Sequence, residues 1–412
     1  MEPINLISKN LIRFFFLIQL LPSLVSAQGI QDAIPESVGL STVRLNRIDT
    51  VINDYVNKGE IPGVVAIIAR HGKVAYFKSF GMKDMNARKK MSDDALFRIM
   101  SMTKPITAVA VMTLYEEGKF LLSDPVSKYI PEFKNPKVAI KSPTSGTVEL
   151  IPAKSEITIR ELLNHTSGIA GSLSDTQASV KTKITALAKM PLQSQPGEEF
   201  HYGYSYDVLG YLVEVISHMP FEEYLRKHIF EPLKMKDTYF NIPRNKYVRL
   251  SGLYKNNAGK LEPITDDFSS SVHQIYFSGG GGLISTASDY LRFSRMILNK
   301  GELEGVRILS RKTIELITTN SIRDLFIYNP AKTNLGIIGD KYGYGFGIRT
   351  ERGVYNDLAS MGTFGWDGAY YTRFWIDPKE DMIGIFLSQV QDNWSNSLIG
   401  KFRVLAYQAI SD

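Results

Sequence analysis

Ser101-Met102-Thr103-Lys104 sets a hydroxyl and an amine three residues apart, and it is the only Ser-x-x-Lys in the 412-residue chain. The stretch from Pro105 to about Glu117 is apolar over most of its length and ends at Gly118, which predicts a helix opening on the motif. Proline suits a first helical turn, where its missing N–H costs nothing. Three residues make about one helical turn, so Ser101 and Lys104 face the same way. A serine hydroxyl alone is a poor nucleophile. A neighbouring lysine can take its proton when burial favours the neutral amine. The start of a helix also offers unpaired backbone N–H groups to a developing anion. Ser-x-x-Lys is nonetheless a common tetrapeptide, so the rest of the chain must supply the other parts of such a site.

Two further stretches carry suitable groups. Pro196-Gly197-Glu-Glu-Phe200-His-Tyr202-Gly-Tyr204-Ser-Tyr206-Asp207 places three tyrosines within five residues, ahead of a helix predicted from Val208 to Ile216. By composition this is an aromatic stripe packing on the core. The chemical alternative is one phenol pointed into a cleft beside a lysine, where it can relay a proton. Gly362-Thr-Phe-Gly365-Trp366-Asp367-Gly368-Ala369 combines three glycines with a tryptophan. It reads either as a turn with a core tryptophan or as a backbone that approaches a ligand closely.

Other chemistries find less support. No Gly-x-Ser-x-Gly elbow is present; the nearest string, Gly203-Tyr-Ser205-Tyr-Asp207, ends in Asp. The six histidines form no His-x-x-x-His and no zinc-ligand pattern, so no metal is expected. His165, in Asn164-His-Thr-Ser-Gly168, reads as a structural residue rather than a base. Gly279 to Gly282 lacks the Lys-Ser/Thr of a phosphate loop and reads as a tight backbone passage into a helix after Ser288-Asp289. No organic cofactor is implied.

The elements that must hold these groups follow from patterning. With 44% hydrophobic and 22% charged residues the chain is an ordinary globular protein with ample core. A formal charge of +6 with scattered basic residues and no aromatic-interleaved basic stripe disfavours nucleic acid as a partner. Lys9 and Arg13 precede an apolar run from Phe14 to Val25, then small residues to Ala27. This predicts a signal peptide over 1–27, cleaved after Ala27, and a secreted or periplasmic protein. The run is too short, and too broken by Gln19 and Pro22, for a membrane anchor. There is no cysteine, hence no disulfide. A helix from Val43 to Val56 precedes a buried strand, Gly63–Arg70, and a second strand, Lys73–Phe77, across a His71-Gly72 turn. Residues 131–157, rich in Pro, Lys and Ser, read as an exposed loop. Ile159 begins a helix, and 169–300 read mostly as helices and long loops. Strands Arg373–Asp377 and Met382–Leu387 flank a turn, and a helix from about Ser395 to Ile410 ends the chain.

Two strand hairpins at opposite ends of the chain are most simply buried in one antiparallel sheet flanked by the terminal helices. The expectation is an α/β (α+β) fold in a single domain over 28–412. Its sheet part would come from about 40–100 and 340–412, and its mostly helical subdomain from about 101–330, with the cleft between them as the site.

Taken together these strings resemble the serine β-lactamase-like hydrolases, specifically the branch of class C β-lactamases, DD-peptidases and family VIII carboxylesterases. The likeness runs from about Val43 to Ile410. It rests on Phe97-Arg-Ile-Met-Ser101-Met-Thr-Lys104, Leu162-Leu-Asn-His165-Thr-Ser-Gly168, Pro196-Gly197 with Tyr202, Gly280-Gly-Gly-Leu-Ile-Ser-Thr-Ala-Ser-Asp289, and Trp366-Asp-Gly368 running into Phe374-Trp-Ile-Asp-Pro378. The resemblance implies a β-lactamase/transpeptidase-like fold with Ser101 as acylated nucleophile and Lys104 and Tyr202 as its base. Tyr202 is chosen over Tyr204 because it lies six residues after Pro196 and eight before Gly210, as in the esterase branch. The backbone N–H groups of Ser101 and Ala369 would form the oxyanion hole. Trp366, Asp367, Gly368 and Tyr204 would line the substrate site. Two departures stand out. Tyr202-Gly203-Tyr204 replaces the Tyr-x-Asn of β-lactamases, and Trp366-Asp367-Gly368 replaces their Lys-Thr-Gly. Losing the Asn and the cation should weaken penicillin recognition by roughly 2–3 kcal/mol or more, and the tryptophan suits an uncharged acyl group. The expected substrate is therefore a short-chain ester. An amide hydrolase of the β-lactamase or D-amino-acid peptidase type is one alternative, and a non-catalytic penicillin- or cell-wall-peptide-binding protein the other.

Overall fold

The computed structural model describes residues 32–141, 146–169, 179–257, 259–264, 274–327, 339–350, 358–391, 393 and 395–412. The expected signal peptide lies outside them. No helix of the described residues is long and apolar enough to cross a membrane.

Gly63–Arg70 (β1) is buried along its whole length, which a strand achieves only when both faces of its sheet are covered. Its side chains alternate accordingly. Val64, Ala66 and Ile68 join one apolar cluster, while Val65, Ile67 and Ala69 join another. β1 lies in an eight-stranded sheet. Numbering only the strands of that sheet, the others are Lys73–Asp84 (β2), Lys89–Lys90 (β3), Lys341–Tyr342 (β4), Gly347–Ile348 (β5), Phe364–Gly368 (β6), Thr372–Asp377 (β7) and Met382–Leu387 (β8). The spatial order is β4-β5-β6-β7-β8-β1-β2-β3, with neighbours antiparallel. The two ends of the chain meet where β1 pairs with β8, from Val65 opposite Leu387 to Arg70 opposite Met382.

The helices in chain order are Thr42–Asn57 (α1), Thr103–Glu116 (α2), Ile159–Leu163 (α3), Val180–Ala188 (α4), Ser205–Ser217 (α5), Phe221–Leu225 (α6), Ala287–Leu298 (α7), Arg311–Ile317 (α8) and Leu398–Tyr407 (α9). Ser41 caps α1 by accepting from the Arg44 N–H, and Leu45, Ile48, Ile52 and Tyr55 form its buried stripe. α1 and α9 cover one face of the sheet with this stripe and with Leu398, Ile399, Phe402 and Ala406. The other face packs on a larger core that includes α2, α5 and α7. α2 is buried from Thr103 through Met112, as expected of a helix apolar on nearly all sides.

Several sequence expectations need correction. The stretch 131–157 is not a loop throughout. It holds a hairpin, Lys137–Lys141 with Val148–Pro152, whose first strand also bonds to Leu192. β2 runs on to Asp84, beyond Phe77. The helical middle also contains a strand pair, Tyr254–Asn257 with Lys260–Pro263. α2 begins at Thr103, before Pro105, and α7 begins at Ala287, before Ser288. The C-terminal helix is shorter than expected and starts at Leu398.

Candidate active site

Ser101 lies in a short 3-10 turn, Met100–Met102, that leads directly into α2. Met100 just before it has φ +49°, a left-handed conformation that is rare for a non-glycine residue and is found at functional sites that hold strain. Tyr290 donates its hydroxyl to the Met102 carbonyl at 2.8 Å, and the Ile99 N–H donates to Leu283 O at 3.1 Å. These bonds fix the turn against α7 and the chain ahead of it.

Lys104 follows in the first turn of α2 and is 4% exposed. A polar group at that depth needs hydrogen-bonding partners. It has two on its amine. Nζ lies 3.1 Å from Ser101 Oγ and 2.6 Å from the Gly280 carbonyl oxygen. The same nitrogen stands 4.5 Å from the centre of the Tyr202 ring. Gly279–Gly282 thus does more than pass the chain into α7. Its backbone runs along the start of α2, where Gly279 O accepts from Thr107 Oγ1 at 2.7 Å and Gly280 O holds the lysine. A side chain is excluded at Gly279, where a Cβ would lie 2.3 Å from the Tyr206 carbonyl oxygen.

Tyr202 comes from the segment ahead of α5. Its backbone neighbourhood is set by the Asn164–Gly168 string. The His201 N–H donates to His165 O at 2.8 Å, and the Gly197 N–H donates to Thr166 O at 2.8 Å. Asn164 Oδ1 accepts from Thr166 Oγ1 at 2.6 Å, and Ser167 Oγ meets Ser205 Oγ at 3.0 Å. The phenol is 46% exposed. Its oxygen accepts a hydrogen bond from Trp366 Nε1 at 2.9 Å. His165 stands behind the phenol, with ring centres 4.6 Å apart, and Phe200, Tyr206 and Tyr342 pack in turn around His165. Burial drives the Tyr206 and Tyr342 phenols well above the usual tyrosine range, so they stay protonated. The His165 imidazole is wholly buried, and desolvation, with Lys104 nearby, holds it well below its usual value. It is a neutral packing ring behind Tyr202. Tyr204 is partly buried against the core.

The opposite wall is β6 and the turn after it. Gly368 sits against the segment that leads to Ser101. A Cβ there would be 2.4 Å from Ile99 O and 2.1 Å from Thr372 Oγ1, while Thr372 Oγ1 donates to Ile99 O at 3.3 Å. Only glycine fits, and Ala369 follows in the turn. Asp367 is turned to its neighbouring strand. Its carboxylate takes a two-pronged ion pair from Arg373, with Nη2 to Oδ2 at 2.8 Å. Ser101, Lys104, Tyr202, Trp366 and Gly368 are thereby gathered around the start of α2. Asp367 has its carboxylate engaged in the sheet.

The Gly280 carbonyl went unidentified in the sequence, because a backbone atom leaves no mark in residue type. Only the run of four glycines hinted at a close approach. The hydrogen-bonding use of Trp366 was also not legible, since its ring alone suggested an apolar wall. No group of His, Cys, Asp and Glu among the described residues could hold a metal ion.

The Beta-lactamase family model matches residues 48–408. The chain is 32% identical over 363 residues to an uncharacterized protein of Mycobacterium tuberculosis, covering 82% of this chain and 88% of that one. It is 28% identical over 371 residues to esterase EstB of Burkholderia gladioli, covering 80% and 86%. Among solved structures it superposes on EstCE1, described as a hydrolase with promiscuous acyltransferase activity, with TM-score 0.74 and 25% identity over 90% of this chain and 99% of that one. With the matched region spanning sheet, helical body and the Ser101–Lys104 pair alike, the chain belongs to the beta-lactamase family and has its β-lactamase/transpeptidase-like hydrolase fold.

Proposed function

We propose that this protein is an exported serine esterase that works through an acyl-enzyme on Ser101. The observation that carries this reading is the Lys104 amine, buried and 3.1 Å from Ser101 Oγ, with its remaining orientation fixed by Gly280 O. Lys104 takes the Ser101 proton as Oγ bonds to the ester carbonyl carbon. The carbonyl oxygen becomes an oxyanion facing the N–H groups of Ser101 and Ala369. Collapse of this intermediate breaks the bond to the alkoxy oxygen, which leaves with a proton from the Lys104–Tyr202 pair. A water molecule then gives its proton to that pair and attacks the acyl carbon, releasing the acid and restoring Ser101.

An ester is favoured over a β-lactam by what surrounds Tyr202. The side chain that meets its oxygen is the neutral indole of Trp366, where β-lactamases carry a lysine, and Tyr204 stands where they carry an asparagine. Neither replacement offers a cation to a penicillin carboxylate. The likeness to EstB and EstCE1 supports the same choice. Export rests on the apolar run from Phe14 to Val25 and the small residues that follow it.

The test is a hydrolysis panel of p-nitrophenyl acetate and butyrate, nitrocefin and D-alanyl amides, with Ser101→Ala as control. Ester turnover should dominate and vanish in Ser101→Ala. Nitrocefin turnover above ester turnover would favour the amide hydrolase instead. A protein that hydrolyses nothing and gives no Ser101 adduct with a fluorophosphonate would be a binding protein.

A further inference from the structure

One buried carboxylate beside the site has no part in the chemistry above. Asp207 lies in the first turn of α5 and is 5% exposed. Its Oδ1 accepts from the Tyr276 hydroxyl at 2.5 Å and from Ser278 Oγ at 2.6 Å. Ser278 Oγ accepts in turn from the Gly281 N–H at 3.1 Å. The other carboxylate oxygen faces Gly280 directly, since a Cβ on that glycine would lie 2.6 Å from Oδ2. The far side of the Tyr276 ring is covered by Lys183 of α4, whose Nζ lies 3.9 Å from the ring centre.

Gly279–Gly282 is a glycine run, and glycine backbone is the hardest to hold in one conformation. Yet the Gly280 carbonyl must point at Lys104 Nζ. With Gly280 O holding Nζ on one side, the other polar neighbour of the amine is Ser101 Oγ. We infer that Asp207 is a positioning residue: by holding Tyr276 and Ser278, whose Oγ in turn accepts from the Gly281 N–H, and by standing against Gly280, it locks the glycine strip whose carbonyl orients Lys104 toward Ser101. A carboxylate suits this task because it only accepts hydrogen bonds. It draws both hydroxyl donors to itself and offers none that would compete with Lys104 for Gly280 O. Burying its charge is tolerated because those donors satisfy it.

This rests on the reading of Ser101 and Lys104 as the acylating pair, so the experiment separates the two. Asp207→Asn and Tyr276→Phe are compared with the unaltered protein for kcat and KM on p-nitrophenyl butyrate, for the rate of Ser101 modification by a fluorophosphonate, and for thermal unfolding. Misplacing the lysine should lower kcat of Asp207→Asn by about 10- to 100-fold with KM changed less than about twofold, and slow the modification of Ser101 in parallel. Tyr276→Phe keeps the ring under Lys183 and loses only the hydroxyl, so it should show the same pattern at smaller size, and it carries the test if Asp207→Asn does not fold. Wild-type kcat in both variants, or a rise in KM at constant kcat, overturns the positioning role alone. Failure of the unaltered protein to be modified at Ser101 overturns the acyl-enzyme reading and this role with it.

Discussion

Trp366 and Tyr202, on opposite walls of the site, are joined by a hydrogen bond in which the indole Nε1–H donates to the phenol oxygen at 2.9 Å. Their rings lie 5.5 Å apart at 43°, and the indole is braced edge-on by Tyr342 at 5.0 Å. The donor forces the phenol's own proton to point away from the indole. It also holds a half-exposed side chain in one place.

Trp366→Phe keeps an aromatic ring between Tyr202 and Tyr342 but removes the N–H. Its kcat/KM for a p-nitrophenyl ester should fall by about tenfold, what one hydrogen bond at a reacting centre is worth. Trp366→His restores a donor and should recover part of the loss. Equal rates for tryptophan and phenylalanine would show that the indole serves only as a wall.

Asp367 and Arg373 should prove structural. They face each other across β6 and β7 with Arg373 buried, and they clamp the strand end that leads into Ala369. Asp367→Asn takes the charge from the partly exposed partner of a buried arginine, which should cost about 1–3 kcal/mol in urea unfolding at pH 7. The KM for a neutral ester should stay unchanged at a temperature where the variant is folded. A raised KM with intact stability would mean that Asp367 meets the substrate after all.

His165 should make the protein sensitive to mild acid. Burial and the nearby Lys104 hold its folded-state value well below the usual 6.5. The unfolded chain therefore binds a proton below about 6.5 that the folded chain refuses. The associated stability is complete above 6.5 and is lost as pH falls toward the depressed folded value. His165→Asn accepts the φ of +59° at this position and does not titrate. It should be less stable at pH 7.5 through lost ring packing, yet lose less stability than the unaltered protein between pH 6.5 and 5. Parallel unfolding curves over that range would place the acid sensitivity elsewhere.

Local pattern carried much of this protein. The spacing of Leu45, Ile48, Ile52 and Tyr55, the unbroken apolar run of Gly63–Arg70 and the final strand pair depend on neighbours in sequence, so α1, β1, β7 and β8 were legible. So was the Ser101–Lys104 pair, because a helical turn brings residues three apart onto one face wherever the helix is buried. The hairpin at 137–152 was not, since its two short strands are mostly exposed and bury only Val138 fully, too little to show a periodic face. What orients the site was also beyond local pattern. The Gly280 carbonyl reaches Lys104 across 176 residues, and Trp366 reaches Tyr202 across 164. Whether Asp367 points to substrate or to Arg373 depends on the pairing register of two strands. The sequence alone determined which groups could react; only the tertiary structure decided which way they point, because hydrogen-bond direction depends on backbone atoms brought together from distant parts of the chain.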